Sequence, residues 1–307
     1  MARRLTRDQI IHAFDKQIAP VTDLEPGEVL TLETLDAGNG LVTSNDFDAE
    51  TLRSDRSNPA TGPIRIPGAE PGDVLVVDIL DIRLADQGFM AVKTGVTAVA
   101  NRFQRGDVKI VPIRDGYAIL TDTLSVPIHP MIGVIGVAPL GEPVGNLYGG
   151  DHGGNMDTRT ITIGSRVYLP VYVSGAMLAI GDIHAAQGEG EIFLSAVEIS
   201  SEVDIRVQVA KGVSMPTPIV ETADTIAPIA TGSTLDAAAD GALNKAFDLL
   251  TGMAGMDFFD AGRLISIGCH LMISQYVPPA VIHCRVDIPK RHLRQLKFAL
   301  RQAAGTP

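Results

Sequence analysis

The stretch from His129 to Glu191 concentrates side chains that can bind a metal ion or carry a proton. Three histidines and six carboxylates occur there, with glycines between many of them. Imidazole nitrogens and carboxylate oxygens are the usual ligands of catalytic zinc, and carboxyl groups act as general acids and bases. These candidate residues are His129, Glu142, Asp151, His152, Asp157, Asp182, His184, Glu189 and Glu191. Such a mixture is unfavourable in a structural scaffold, so it predicts a functional site.

The spacing of Asp182 and His184 favours a shared metal ion. They lie two residues apart, so on a strand both side chains point to the same face. His129 precedes a proline, which favours an extended backbone, and the polar loop upstream offers Asp46 or Asp48. We expect a divalent metal, zinc before calcium, at Asp46, His129 and Asp182, with His184 as a further candidate ligand. Because bound zinc lowers the pKa of water and polarises a carbonyl, the expected chemistry is hydrolysis by a metal-activated water.

Cleavage of an amide also requires a proton for the leaving nitrogen. The residues predicted to carry protons as catalytic acids or bases are Glu142, His184, Glu189 and Glu191. Substrate binding is predicted nearby, because Gly153 and Gly154 allow backbone N–H groups to approach a substrate oxygen and Asn155 can donate from its side chain.

Simpler interpretations of some of these residues stay open. Asp151, His152 and Asp157 lie in a glycine-rich stretch, where aspartate and asparagine commonly stabilise turns. Glu189 stands between two glycines and could be the solvated tip of a hairpin. The cluster as a whole predicts a site more firmly than any single member does.

Other kinds of catalytic site are less well supported. The chain has no Gly-x-Ser-x-Gly motif, which marks the serine nucleophile of many hydrolases. Cys269 and Cys284 fall within predicted regular elements, where a free cysteine is usually part of the core. The glycines at positions 133 and 136 are not followed by the residues of a phosphate-binding loop, so close backbone packing is the better explanation.

Composition excludes several classes of partner. The 307 residues carry a formal net charge of −11, so an acidic surface would repel nucleic acid. Two cysteines cannot form a disulfide framework. No apolar run is long enough to span a bilayer, and the N-terminal arginines are not followed by the apolar segment of a secretory signal. We therefore expect a cytoplasmic protein without membrane or nucleic-acid partners.

The patterning predicts a mainly β fold with a long β-rich body over residues 1–210 and an α+β segment over 211–307. Period-two alternation marks strands throughout the body, for example at Val29–Thr34 and Val74–Arg83. Residues 43–66 are polar and predict a long ordered loop. Apolar spacing near the N-terminus predicts a short amphipathic helix or lead-in over residues 5–19, or a segment that lies along a neighbouring subunit.

The C-terminal segment is predicted to contain two helices and a closing strand. The first helix covers Leu235–Gly252, with Asp236 as its N-cap. The second covers Phe259–Gln275 and would bury Leu264, Ile267 and Leu271. The closing strand covers Val281–Lys290.

At these residues the sequence resembles the acetamidase/formamidase family over about residues 27–290. The most specific motif is His-Gly-Gly-Asn-Met-Asp at 152–157, followed by Gly-Asp-Ile-His at 181–184 and Gly-Glu-Gly-Glu at 188–191. Ser44-Asn45-Asp46 and the run from His129 to Gly136 also match. The resemblance implies hydrolysis of a small linear amide to a carboxylate and ammonia, without an organic cofactor. It also implies a homo-oligomer with a β-sandwich-like body and an α+β C-terminal segment. The resemblance carries site roles over to Asp46, His129, Glu142, Asp157, Asp182, His184, Glu189 and Glu191. The expected substrate-binding residues are Asn45, Gly154, Asn155 and Asp157.

Departures from the family leave alternatives open. Cys269-His270 stands where relatives tend to have Gly-Asp, and position 189 is Glu where Asp is common, so the substrate is uncertain. Similar enzymes that open cyclic amides such as a γ-lactam, and carry zinc, provide one alternative. Another is a binding module without catalysis, in which carboxylates hold calcium. A third is acid–base catalysis by carboxylates without a metal.

Overall fold

The computed structural model describes residues 3–97, 99–276 and 282–293, and strands dominate these ranges. The first eleven strands are β1 (Arg3–Leu5), β2 (Ile10–Ile11), β3 (Ala13–Phe14), β4 (Thr22–Asp23), β5 (Val29–Thr34), β6 (Ala60–Arg65), β7 (Val74–Leu84), β8 (Gln87–Val92), β9 (Asp107–Arg114), β10 (Tyr117–Thr121) and β11 (Leu124–Pro127). The next eleven are β12 (Met131–Gly136), β13 (Val144–Gly145), β14 (Gly149–Gly150), β15 (Gly153–Asn155), β16 (Arg166–Pro170), β17 (Leu178–His184), β18 (Ser201–Ala210), β19 (Ile219–Glu221), β20 (Thr225–Gly232), β21 (His270–Gln275) and β22 (Ile282–Pro289).

Helices are few and the two longest lie in the C-terminal third. Helix α1 spans Leu235–Asp248 and continues as a π-helical turn at Leu249–Met253, and α2 spans Phe258–Gly268. In the described ranges, no helix has the length and apolarity needed to cross a membrane. Short 3₁₀ turns occur at Ala49–Thr51, Ser54–Arg56, Ala100–Arg102 and Lys290–His292.

Two large sheets form the body of the molecule. One has nine strands in the order β1-β5-β18-β7-β16-β19-β20-β22-β21. The other has the order β14-β15-β12-β17-β6-β2, with β4 also paired to β6. A four-stranded sheet (β11-β10-β9-β8) and the pair β13-β3 are separate. This arrangement confirms the predicted mainly β fold with helices in the C-terminal segment.

The alternation of apolar side chains explains how the nine-stranded sheet is packed. On β7, Leu75 and Val77 enter the main core, which also contains Ile132 of β12 and Ile180 of β17 from the second sheet. The residues between them point to the opposite face, where Val76 packs in the core beneath α1. A strand buried on both faces appears in the sequence as the continuous apolar run that β7 shows.

Helix α1 covers the second face of this sheet with small side chains. Ala238, Ala242 and Ala246 are buried and spaced four residues apart, so they form one helix face. The N-cap is Thr234, whose Oγ1 accepts from the backbone N–H of Ala237 at 3.2 Å. The predicted cap, Asp236, lies inside the first turn instead.

The predicted N-terminal helix is absent, because the described residues from Arg3 onward form short strands. Leu5 is paired with Leu32 of β5, and Ile11 is paired with Ala60 of β6. Each piece adds to the edge of another strand. Helix-like apolar spacing over residues 5–19 was therefore a misleading signal, since tertiary pairing overrides local preference.

The second predicted helix is too long, because α2 ends at Gly268. The residues from His270 onward form β21, which is antiparallel to β22. The predicted polar loop over residues 43–66 is also too long, because strand β6 begins at Ala60. Of the predicted helix face, Ile267 is 87% exposed and Leu271 is 48% exposed. The closing strand is confirmed at Ile282–Pro289, and Val281 lies outside the described residues.

The nine-stranded sheet crosses the division predicted at residue 210. Strand β18 ends there, and β19 to β22 continue the same sheet. Residues 294–307 of the predicted α+β segment lie outside the described ranges.

The approach of α1 to β20 generates a prediction about stability. A Cβ at Gly232 would lie 2.8 Å from the carbonyl carbon of Ala237, and helix backbone cannot move aside as a side chain can. Gly232→Ala should destabilise the protein by about 1–3 kcal/mol in urea denaturation. Gly252→Ala, where a Cβ meets nothing within 4 Å, is the matched control and should not be destabilised. Equal stability of the Gly232→Ala and control variants would contradict the packing.

Candidate active site

Four buried carboxylates surround one buried imidazole at the end of β17. Asp182 and His184 belong to β17, Asp157 follows β15, and Glu191 and Glu198 come from the segment between β17 and β18. None of these five side chains is more than 6% exposed. The cluster therefore concentrates titratable groups in a place that water hardly reaches.

The imidazole of His184 lies at the centre of the cluster. Its Nε2 is 3.0 Å from Oε2 of Glu198 and 3.5 Å from Oδ1 of Asp182. One set of ligand atoms within 4.8 Å of one another comes from Asp182, His184 and Glu198, and a second set comes from Asp157, His184 and Glu191. The predicted strand spacing of Asp182 and His184 thus brings them to one side, as expected.

Gln187 determines which nitrogen of His184 faces the carboxylates. Its Nε2 donates to the backbone carbonyl of Asp157 at 2.6 Å, so its Oε1 must accept from Nδ1 of His184, 2.8 Å away. An amide oxygen cannot donate, so Nδ1 carries the proton of this bond. In a neutral imidazole Nε2 then has a free lone pair directed at the cluster.

A layer of amide side chains holds the carboxylates in place. Asn58 donates to Oδ2 of Asp182 at 2.8 Å, and Asn155 donates to Oδ2 of Asp157 at 2.6 Å. Gln275 donates to Asp157 and also to Oε2 of Glu191, at 2.7 Å. Neutral donors of this kind stabilise negative charge without neutralising it.

The backbone around the cluster is shaped to bring these groups together. A Cβ at Gly133 would lie 2.6 Å from Oδ1 of Asp157 and 2.7 Å from Oδ2 of Asp182, so only glycine leaves that space open. Asp157, Asp182 and Glu191 themselves have left-handed backbones, with φ of 41°, 56° and 40°. Such strain in non-glycine residues is concentrated at functional sites.

Burial and mutual repulsion shift the protonation of the carboxylates upward. Burial raises the pKa of Glu191 to about 8, and the negative charge of Glu198 adds to that effect. Burial also raises the pKa of Asp182 to about 6, and raises the pKa of Asp157 well above its ordinary value. Burial alone would lower the pKa of His184, but attraction to Glu198 and Asp182 outweighs it and raises that pKa.

The cluster contains donor atoms that suit a divalent cation. Oδ1 of Asp157 and Oδ1 of Asp182 are buried without a hydrogen-bond partner, and Nε2 of His184 and Oε2 of Glu198 have none besides each other. Buried polar atoms are normally paired, so orphaned atoms beside each other indicate a missing partner. One nitrogen and several carboxylate oxygens form a donor set that fits zinc and, with more oxygens, calcium.

A cavity of about 290 Å³ opens above the cluster. Its polar lining consists of Asn58, Asn155, Asp157, Asp182, Glu191, Glu198 and Gln275, together with the hydroxyl-bearing Ser54, Ser57 and Ser195 and the ammonium of Lys93. The remaining lining is mostly apolar and aromatic. Reactive groups at one side of an apolar pocket are typical of an enzyme site for a small molecule.

The structure brings together about half of the residues predicted for the site. Asn155, Asp157, Asp182 and Glu191 line the cavity, and His184 lies directly behind them. Glu189 lies two residues before Glu191 in the sequence, but its carboxylate forms a two-point ion pair with the buried guanidinium of Arg285, at 2.6 and 2.8 Å. That pair anchors the loop that presents Glu191.

The other predicted site residues lie elsewhere. Asp46 lines a separate depression that also includes Asp107, and Oδ1 of Asn45 accepts from the backbone of Ile110 at 2.7 Å. The side chains of His129 and Glu142 are exposed. The backbone of Gly154 takes part in the β12–β15 ladder and does not line the cavity.

His152, Asp151 and Cys269, for which the sequence left simpler interpretations open, lie in surroundings that suit structural roles. Burial lowers the pKa of His152 to about 4, and its ring packs edge-on against Phe14 at 5.2 Å between centroids. Asp151 is exposed and pairs with Lys245 of α1 at 2.9 Å. Cys269 ends α2, and neither it nor the neighbouring His270 lines the cavity.

Four residues of the cluster were not identified from the sequence: Asn58, Gln187, Glu198 and Gln275. Glu198 had a detectable signal, since it is a charged residue inside the apolar run Ala196–Ile199. The three amides had none, because asparagine and glutamine are common at ordinary surface positions.

One protein family matches most of the chain. The family model described as the Acetamidase/Formamidase family matches residues 3–146 and 144–255. A formamidase from Methylophilus methylotrophus is 30% identical over 267 residues, covering 66% of this chain and 64% of the relative. The chain thus spans less than two thirds of that relative.

Solved structures match over almost the whole chain. An acetamidase from Bacillus halodurans is 37% identical with a TM-score of 0.93, covering 96% of this chain and 100% of that one. A predicted acetamidase/formamidase from Thermoanaerobacter tengcongensis is 38% identical with the same TM-score, covering 96% and 98%. A gamma lactamase from Delftia acidovorans shares the fold at 23% identity, with a TM-score of 0.66 and coverage of 93% and 89%.

The raised pKa of Glu191 predicts how stability depends on pH. Because this pKa rises from 4.5 to about 8, the folded state binds the proton more tightly than the unfolded chain does. The contribution of Glu191 to the free energy of unfolding is fully present below the pKa of the unfolded chain. It is lost as the pH rises through the pKa of the folded state. We expect cation-free protein to lose roughly 3 kcal/mol through this group between about pH 5.5 and about pH 8.5.

Urea denaturation of Glu191→Gln and of the unsubstituted protein at both pH values measures this loss. Glutamine keeps an oxygen that accepts from Gln275 but does not titrate, so the variant should lose correspondingly less stability. Glu142→Gln changes an exposed carboxyl and is the matched control for charge. The same pH dependence in Glu191→Gln as in the unsubstituted protein would be inconsistent with a buried, protonated Glu191.

Proposed function

This chain belongs to the acetamidase/formamidase family, and we propose that it hydrolyses the carbon–nitrogen bond of a small amide to a carboxylate and ammonia. The observation that carries the proposal is the set of buried, unpaired donor atoms next to an apolar cavity. Polar groups fixed in advance in a site that excludes water are the main source of catalysis in hydrolases.

We assign a divalent metal to the donor atoms around His184. Asp182, His184 and Glu198 would hold it, and Asp157 and Glu191, which form a second set of donor atoms with His184, could contribute further ligands. When bound, such an ion supplies a Lewis acid that polarises the amide carbonyl and favours deprotonation of water. Because Gln187 accepts from Nδ1 of His184, Nε2 is the nitrogen that would bind the ion.

We assign proton transfer to Glu191. In the cation-free protein burial raises the pKa of this carboxyl group, and a carboxyl group whose pKa is raised toward neutral pH can both accept and release a proton. The carboxyl group lines the cavity, and Gln275 fixes its orientation. It would take a proton from the attacking water and deliver it to the leaving nitrogen. Asn155 is assigned to positioning, because its N–H₂ group already donates to Asp157.

The cavity favours an enzyme over a module that only binds a cation. A storage site for calcium needs oxygen ligands but no apolar chamber beside them. Here the cluster forms one side of a cavity whose remaining lining is largely apolar. An organic molecule is therefore expected to occupy it.

Metal removal tests this assignment. Purified protein should release ammonia from formamide or acetamide, and chelation should lower the rate at least about 100-fold because the Lewis acid is lost. Zn²⁺ or Ca²⁺ added back should restore it, and elemental analysis gives the metal content at each stage. A γ-lactam in the same assay tests the cyclic alternative. Full activity in protein verified to be metal-free would exclude the metal assignment, and inertness toward every amide would exclude the function.

Two glutamate substitutions distinguish the possible proton carriers. Glu191→Gln should reduce kcat by roughly 100- to 10,000-fold, because a general acid–base group contributes that much. Glu142→Gln, at the exposed position favoured by sequence, should retain most of kcat. Steady-state kinetics at saturating amide provides the measurement. A large loss in Glu142→Gln with little loss in Glu191→Gln would return the role to Glu142.

A further inference from the structure

The cavity is much larger than formamide or acetamide requires. Its volume of about 290 Å³ corresponds to roughly ten groups of the size of a water molecule. Formamide has only three non-hydrogen atoms and acetamide four. A cation and one water would occupy little more. Space for about five further non-hydrogen atoms remains.

The carboxylates and amides of the cavity lining form one hydrogen-bonded group, in which Asn155 joins Asn58 to Asp157. Asn58 bonds to Asp182, and Gln275 bonds to both Asp157 and Glu191, so these residues form one connected surface. The reacting carbon–nitrogen bond must lie against it. The acyl group of the substrate then projects toward the rest of the lining.

The rest of the lining is largely apolar and comes from several loops and strands. Its main side chains are Leu52, Phe89, Ala91, Leu147, Phe193 and Leu194. Leu194 reaches this position from a left-handed backbone with φ of 54°, a conformation that is unfavourable for a bulky residue. Among the lining residues that the structure describes, the one ammonium belongs to Lys93, and it donates to the carbonyl of Leu52 at 2.6 Å. This part of the cavity is therefore suited to an uncharged apolar group.

We infer that the amide taken by this site is a neutral primary amide with an apolar acyl chain of about five to seven carbons. The inference rests on the proposed amide hydrolysis and adds the class of substrate. Burying each further methylene against the apolar lining should increase kcat/KM by roughly fourfold until the cavity is full. A formyl or acetyl group would leave most of this lining without contact.

Hydrolysis of a homologous series tests the inference. Ammonia release is followed with formamide, acetamide, butyramide, hexanamide and benzamide. We expect kcat/KM to rise along the linear series and to be about 250-fold higher for hexanamide than for acetamide. A value for acetamide equal to or above that for hexanamide would overturn the inference while leaving amide hydrolysis intact. If none of the five amides is hydrolysed, the proposed function is refuted instead.

Filling the cavity provides an independent test. Ala91→Leu and Ala37→Leu each add three carbon atoms to the lining at different places, so one of them suffices if the other does not fold. Either should reduce kcat/KM for hexanamide at least tenfold and change that for acetamide less than threefold. Ala85→Leu, at an exposed position outside the lining, is the matched control. If both folded variants retain the preference for hexanamide, the acyl chain does not occupy this cavity.

Discussion

The repulsion among four buried carboxylates is the interaction on which the site depends. Asp157, Asp182, Glu191 and Glu198 share a small space with a single imidazole. In the described part of the chain, none of the four forms an ion pair with a lysine or an arginine. An excess of buried negative charge is highly unfavourable, so protons, amide donors or a cation must compensate it. The raised pKa values, the amide layer and the unpaired donor atoms are three consequences of this one constraint.

The two-sheet body makes such crowding possible. Strands β12 and β17 are paired so that Gly133 lies beneath the carboxylates of Asp157 and Asp182, which fill the space a side chain would take. The large core between the sheets supplies the stability against which this unfavourable arrangement is maintained. Left-handed backbones at three of the acidic residues add to the local cost. A site of this kind needs a rigid sheet on both sides.

Sequence reasoning predicted what depends on local pattern. Strand alternation gave the β body, and the two-residue spacing placed Asp182 and His184 on one face. Proximity along the chain was a poor guide elsewhere: the backbone of His129 is bonded to Ala185, yet its side chain is exposed. The segment after Gly268 has apolar residues that fit either a helix or a strand, and pairing with β22 decides the matter. Neither register nor amide contacts can be obtained from periodicity.

The C-terminal segment is part of the site and cannot be regarded as an accessory to it. Gln275 of β21 bonds to two of the four carboxylates, and its backbone is bridged to Gly190. Arg285 of β22 is only 1% exposed, and its charge is compensated by Glu189 and Asp287. A buried guanidinium is costly without such partners, so this ion pair fixes the Glu189 loop relative to β22. The position of Glu191 in the cavity therefore depends on strands that are more than 80 residues away in sequence. For this reason the body alone does not contain a complete site.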